Sequence, residues 1–132
     1  MIRVLVVDDS AFMRNAIVSL LEKDPNIKVV GTAHDGQDAL KKAADIDADV
    51  MTLDVEMPRL DGLTLTRRIK ENLETKNIPV VVFSSIMAND IKNKAASVGA
   101  NYQVTKPEIN QLVECVVKVI KEKEEKRVAV GE

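Results

Sequence analysis

Apolar and polar positions along the chain follow two alternating periods. Short apolar runs at Arg3 to Val7, Lys28 to Thr32, Asp49 to Leu53, Ile78 to Phe83 and Asn101 to Val104 have the length and β-branched content of strands. Between them apolar residues recur every three or four positions. That predicts helices over about Ala11 to Lys23, Gln37 to Ala44, Leu63 to Glu74, Asn89 to Val98 and Glu108 to Lys126. In the first helix Met13, Ala16, Ile17, Leu20 and Leu21 form one stripe, and Ser10 stands where an N-cap belongs. Leu65 and Ile69 turn the third helix inward. Asp24-Pro25-Asn26 reads as a turn, Met57 to Gly62 as a loop, and Gly99 as a helix stop. The third strand is a continuous apolar run, which suits burial on both faces.

Five strands, each followed by a helix, predict a doubly wound (βα)5 fold of the α/β class. Such a fold has one parallel sheet, helices on both faces and right-handed crossovers. The connections are short, and no internal repeat or second domain is evident. Residues 121–127 are charged on every side. We read residues 1–122 as one domain and 123–132 as a charged tail, a fraying helix end or the start of a linker.

Composition narrows the chemistry. The chain has 132 residues, 45% of them hydrophobic, enough for one domain with its own core. A net charge of -2 with no dense basic patch makes nucleic acid or an anionic membrane an unexpected partner. No apolar stretch approaches the ~20 residues that span a bilayer, and the N-terminus runs straight into a strand pattern, so no signal peptide is expected. The single cysteine, Cys115, excludes an internal disulfide and suits the cytoplasm. The single histidine, His34, makes a histidine-based metal centre improbable and is expected on the surface. Met13, Met51, Met57 and Met87 are spaced for packing, not for a thioether site. Cys115 is expected as a core thiol.

The chemistry concentrates where the strands end. Asp8 and Asp9 close the first strand, Asp54 the third and Ser84 the fourth, and Lys106-Pro107 follows the fifth. In a parallel sheet these ends share one edge, the edge where open α/β folds bind ligands. Three carboxylates, a hydroxyl and an ammonium would meet there, suited to a divalent cation and a phosphoryl group. Asp54 is the candidate nucleophile, because an ionised carboxylate can accept a phosphoryl group. Neighbouring carboxylates raise its pKa, and a cation or Lys106 lowers it. Asp8 and Asp9 are candidate metal ligands, since close carboxylates repel unless a cation joins them. Lys106 can pair with a phosphoryl oxygen as a point charge. Ser84 can donate its hydroxyl to one, while Ser85 is better placed as a helix cap.

Val7-Asp8-Asp9-Ser10, Leu53-Asp54-Val55-Glu56-Met57-Pro58 with Asp61-Gly62, Ser84 after a valine strand, and Lys106-Pro107 occur in this order with compatible spacing. With these motifs the chain resembles the response-regulator receiver domain of two-component signalling over about residues 1 to 122. Met1 to Arg14 and Leu53 to Leu63 are similar to the chemotaxis branch, in particular to the receivers of CheB and CheV; Thr105 to Asn110 leans toward CheV. The resemblance implies a flavodoxin-like, CheY-like sheet of order 2-1-3-4-5. It implies Mg2+ ligated by Asp9, Asp54 and the backbone carbonyl of Glu56, with Asp8 often acting through water. It implies Asp54 as phosphoacceptor, Lys106 as phosphoryl partner, Ser84 as switch residue, and a cis Lys106-Pro107 peptide. The implied donor is a histidine kinase, chemotaxis-type, and the implied output is a protein target on the face of the fourth helix, fifth strand and fifth helix. The domain would be cytoplasmic, a monomer or a phosphorylation-dependent dimer, and would catalyse only its own phosphorylation and dephosphorylation.

Two positions depart from the family pattern. The switch aromatic normally stands three residues before the lysine, where this chain has Gln103; Tyr102 lies one earlier and is read as a packing residue. Glu56 adds a negative side chain two residues after Asp54, and is expected to tune hydrolysis of the aspartyl phosphate. Other classes were weighed. A Mg2+-dependent phosphohydrolase with an aspartate nucleophile would need longer loops or a cap to enclose a substrate. A flavin-binding module is disfavoured by the acidic pocket and by 2% aromatic residues. No nucleotide-binding P-loop occurs.

Overall fold

The computed structural model describes residues 1–57, 61–84, 89–105 and 110–129. Its strands are β1 (Ile2–Val7), β2 (Ile27–Ala33), β3 (Val50–Asp54), β4 (Val80–Ser84) and β5 (Tyr102–Thr105). Its helices are α1 (Ala11–Leu21), α2 (Gly36–Asp45), α3 (Gly62–Glu71), α4 (Asn89–Ser97) and α5 (Asn110–Ala129). The strands pair in parallel in one sheet of order β2-β1-β3-β4-β5. This is the doubly wound order that the resemblance implies.

Residue parity divides the core. Leu5 and Val7 of β1, Met51 and Leu53 of β3, and Val80 and Val82 of β4 pack with Ala39, Leu65, Ile69 and Ala95 of α2, α3 and α4. Val4, Val6, Val50, Val81, Phe83 and Val104 face the other way, against Ile17 and Leu21 of α1 and Leu112 and Val116 of α5. Strands buried on both faces need apolar residues at every position, and β4 is Val-Val-Val-Phe-Ser. Removing each large side chain from water stabilises the fold by roughly 1.5–3 kcal/mol.

Local chemistry sets the boundaries. Ser10 caps α1, its hydroxyl accepting from Met13 N at 3.2 Å. Asp35 caps α2 in the same way, accepting from Asp38 N at 2.8 Å. The turn at Asp24 closes with Asn26 N donating to the Asp24 carboxylate at 2.9 Å. Gly99 ends the α4 segment at φ 94°, a conformation that favours glycine. The third helix ends at Glu71, short of the expected Glu74. Buried Thr75 donates its hydroxyl to the Ile69 carbonyl at 2.8 Å, and the Asn72 side chain accepts from Glu74 N at 2.9 Å. These side-chain bonds satisfy groups that another helical turn would have used. β2 is longer than expected and carries a register shift, Val29 opposing Val4 but Gly31 opposing Leu5. The charged stretch after residue 121 stays helical to Ala129.

Met51 and Met57 are buried and Met13 is partly buried, all in packing roles. Cys115 is half-buried against the α1/α5 core, and burial, then Glu114, pushes its thiol up. His34 is exposed between the Asp35 and Asp38 carboxylates, 3.2 Å from each. No helix among the described residues is long and apolar enough to cross a membrane.

Candidate functional site

β1 and β3 are neighbours because the chain crosses over β1 between β2 and β3. Val7 therefore pairs with Leu53, which sets Asp8, one residue past β1, beside Asp54, the last residue of β3. One carboxylate oxygen each from Asp8, Asp9 and Asp54 lies within 4.8 Å of the other two. Asp8 and Asp54 are buried, and Asp9 is exposed at the rim.

Both buried carboxylates are oriented by the backbone just beyond them. Ser10 N donates to Asp8 Oδ1 at 2.9 Å, and Glu56 N donates to Asp54 Oδ1 at 3.0 Å. Each is a two-residue side-chain turn of the kind aspartate forms readily. The β3–α3 loop is tied in the same way. Asp61 caps α3, its Oδ1 accepting from Leu63 N at 2.8 Å and Thr64 N at 2.9 Å, and Gly62 N reaches the Val55 carbonyl at 3.2 Å. Gly62 is forced by space. A Cβ there would overlap the Asp54 carbonyl oxygen and sit 2.8 Å from the Asp54 carbonyl carbon and 2.9 Å from Val55 Cα. The start of α3 thus packs directly on the backbone of Asp54.

Ser84 ends β4, one residue past the Phe83 that pairs with Asp54. It is buried, and its hydroxyl donates to Glu56 Oε1 at 2.7 Å. Ser84 also pairs with Thr105, so the end of β5 reaches the same edge. Lys106 and Pro107 lie outside the described residues, as do Pro58, Ser85 and Met87.

Tyr102 shares a face with Val104 and packs on the α1/α5 side. Its hydroxyl donates to Glu122 at 2.5 Å, and Lys118 Nζ stands 5.3 Å from the ring centroid. Both partners belong to α5, so Tyr102 is a packing residue. A shift of one strand position puts Gln103 on the opposite face.

Two contacts were not anticipated. Arg14 Nη1 donates to the Asp8 carbonyl at 2.8 Å, bracing the corner that presents Asp8 and Asp9. Its position one turn beyond the Ser10 cap was the available signal. The second is the Ser84–Glu56 bond. Glu56 was singled out, but nothing in the linear spacing marked its partner.

The donor set suits a small hard cation. Oxygens on an octahedral Mg2+ are about 3 Å apart when adjacent and about 4.2 Å when opposite, given bonds of ~2.1 Å. The three carboxylate oxygens, within 4.8 Å of one another, are hard donors close enough to serve one such ion directly or through water.

An acidic pocket at the carboxyl edge of a five-stranded doubly wound sheet, with a hydroxyl-bearing neighbouring strand, places the chain among the doubly wound α/β domains that bind ligands at this edge. The family model for the response regulator receiver domain matches residues 4–117, and the chain belongs to that family. It is 51% identical over 109 residues to a protein-glutamate methylesterase/protein-glutamine glutaminase of Halalkalibacterium halodurans, covering 80% of this chain and 30% of that protein. The chain therefore spans about a third or less of the length of such relatives. The crystal structure of the response regulator domain of Thermotoga maritima CheB superposes with a TM-score of 0.79 at 35% identity, covering 92% of this chain and 95% of that one. A chain of the CheX-CheY-BeF3-Mg+2 complex of Borrelia burgdorferi gives a TM-score of 0.80 at 28% identity, covering 89% of this chain and 88% of that one. The chain is thus a receiver domain of the CheB/CheY-like response regulators, and the phosphohydrolase alternative is not favoured.

Proposed function

We propose that Asp54 accepts a phosphoryl group from a phosphohistidine on a chemotaxis-type histidine kinase, and that the modification switches a protein-binding surface. The observation that carries this reading is the convergence of Asp8, Asp9 and Asp54 on one point at the sheet edge. In the transfer an Asp54 oxygen attacks phosphorus, the phosphorus–nitrogen bond breaks, and the imidazole departs with the bonding pair. The Glu56 N–H holds the Asp54 carboxylate plane, which removes rotational freedom from the nucleophile.

Asp9, Asp54 and the Glu56 carbonyl, with Asp8 through water, would hold Mg2+, which would supply charge neutralisation for the incoming phosphoryl oxygens. The solved CheX-CheY-BeF3-Mg+2 complex, to which the chain is similar, supports this choice of ion and of phosphoryl chemistry. Lys106, the residue after β5, supplies the ammonium in this reading, and Ser84 the hydroxyl. The output face in this reading is that of α4, β5 and α5, and the bond of Tyr102 to Glu122 supports a response without a rotating aromatic.

The methylesterase relative of Halalkalibacterium halodurans is about three times as long as the matched region. This supports a role for residues 1–122 as a regulatory part of a chemotaxis regulator, which in this reading works in the cytoplasm, with 123–132 a charged tail or the start of a linker. The experiment is incubation with acetyl phosphate and Mg2+, then intact-mass measurement of wild type, Asp54→Ala and Asp9→Asn. Wild type gains ~80 Da, Asp54→Ala gains nothing, and Asp9→Asn needs more Mg2+. An equal mass gain in Asp54→Ala would refute the assignment.

A further inference from the structure

We infer that Glu56 is a positioning residue that holds the Ser84 hydroxyl in reserve, so that the phosphoryl group must compete with a carboxylate for the switch serine. The inference rests on the phosphoacceptor reading of Asp54.

Ser84 is 2% exposed and sits at the last position of β4, where pairing with Thr105 fixes its backbone. Its hydroxyl has one proton and can donate to one acceptor at a time. In this structure that acceptor is Glu56 Oε1, at 2.7 Å. A hydroxyl donating to an ionised carboxylate makes a charge-assisted bond, stronger than one to a neutral acceptor.

Glu56 acts on both sides of the event. Its backbone N–H orients the Asp54 carboxylate, and its side chain holds the hydroxyl. A phosphoryl group on Asp54 is a second anionic acceptor at the same edge. To serve it, Ser84 must release Glu56 and rotate about χ1 between staggered wells. Glu56 is exposed, so its side chain has room to move when the bond is released. The exchange replaces one charge-assisted bond by another. A contact present only in the resting state lowers the apparent affinity for whatever occupies the phosphoryl site. Glu56 therefore sets a threshold for switching. This is a more specific role than tuning hydrolysis, because it acts through one named hydroxyl.

The test is a titration of the full chain with beryllium fluoride at saturating Mg2+, read by 19F NMR of bound fluoride. The variants are Glu56→Asp, Glu56→Ala, Ser84→Ala and the double variant Glu56→Asp/Ser84→Ala, each checked for folding by circular dichroism. Glu56→Asp keeps the charge but is shorter by one carbon–carbon bond and cannot reach Ser84 Oγ. It binds roughly three- to ten-fold more tightly than wild type, the range expected for losing one partly exposed charge-assisted bond. Glu56→Ala gains at least as much. In the Ser84→Ala background the Glu56→Asp change alters affinity by less than about two-fold, since the hydroxyl that couples them is gone.

A gain in Glu56→Ala with none in Glu56→Asp would mean that charge alone is responsible, and would overturn the inference. So would a gain that persists without the Ser84 hydroxyl. Failure of the underlying reading looks different: wild type then shows neither bound beryllium fluoride nor the ~80 Da adduct on Asp54.

Discussion

Gly62→Ala separates two opposed expectations. Gly62 opens α3, and by helix propensity alone alanine there should stabilise the protein by up to about 1 kcal/mol. The surroundings reverse the sign. The added Cβ would overlap the Asp54 carbonyl oxygen and lie 2.8 Å from that carbonyl carbon and 2.9 Å from Val55 Cα. All three are backbone atoms, and no side chain can rotate away to make room. Either the start of α3 retreats, weakening the bonds of Asp61 and of Gly62 N to the Val55 carbonyl, or the Asp54 backbone shifts. Overpacking costs typically 1–3 kcal/mol, and immobile neighbours put this case at about 2–4 kcal/mol. For a domain of this size that lowers Tm by roughly 10 °C. Urea and thermal unfolding by circular dichroism measure it directly. Because the displaced atoms belong to Asp54 itself, acetyl phosphate labelling also slows. A Gly62→Ala protein as stable as wild type, labelling at the wild-type rate, would refute the steric argument.

Three further outcomes are expected. Tyr102 is the only tyrosine, and its hydrogen bond to Glu122, then burial and the Glu122 charge, push its pKa up to about 12. The neutral phenol is the bonded form, so its contribution to stability is full below pH 10.0 and disappears as pH rises toward about 12; ultraviolet titration should show Glu122→Gln returning the midpoint toward 10.0. Thr52 is fully buried with no hydrogen-bond partner for its hydroxyl among the described residues. Thr52→Val should therefore raise stability by about 1 kcal/mol in denaturant titration, and a loss would contradict this. Asn101 Oδ1 accepts from buried Val80 N at 2.9 Å and from Lys70 Nζ at 3.1 Å. Asn101→Ala strands that N–H and should cost about 1–3 kcal/mol, seen as a lower urea midpoint at unchanged slope.

Linear order was sufficient where the cause is local. The alternation of short β-branched runs with helical stripes identifies all ten elements, because a strand buried on both faces and a helix buried on one stripe demand different spacings. The Ser10 cap could be read because a cap needs only a hydroxyl three residues before the N–H it serves. Asp8, Asp9, Asp54 and Ser84 could be read as site candidates because polar residues stand where apolar runs end, and parallel strands end on one edge.

What residue order left open depends on partners distant in the chain. The end of α3 at Glu71 is set by Thr75 reaching back to Ile69 and by the Asn72 turn; a pattern of apolar residues carries no mark of where a side chain will compete with the backbone. The clamp of Tyr102 on Glu122 and Lys118 spans β5 and α5 and needs their packing.

The sequence by itself determined the class of fold and the identity of the acidic residues, because hydrophobic period and strand termination are properties of consecutive positions. Only the tertiary structure decided that Gly62 touches the Asp54 backbone, that Arg14 braces Asp8, and that Glu56 holds the Ser84 hydroxyl. The first two depend on how the chain turns after β3 and β1, and the last joins residues that neighbour each other only after β3 and β4 have paired.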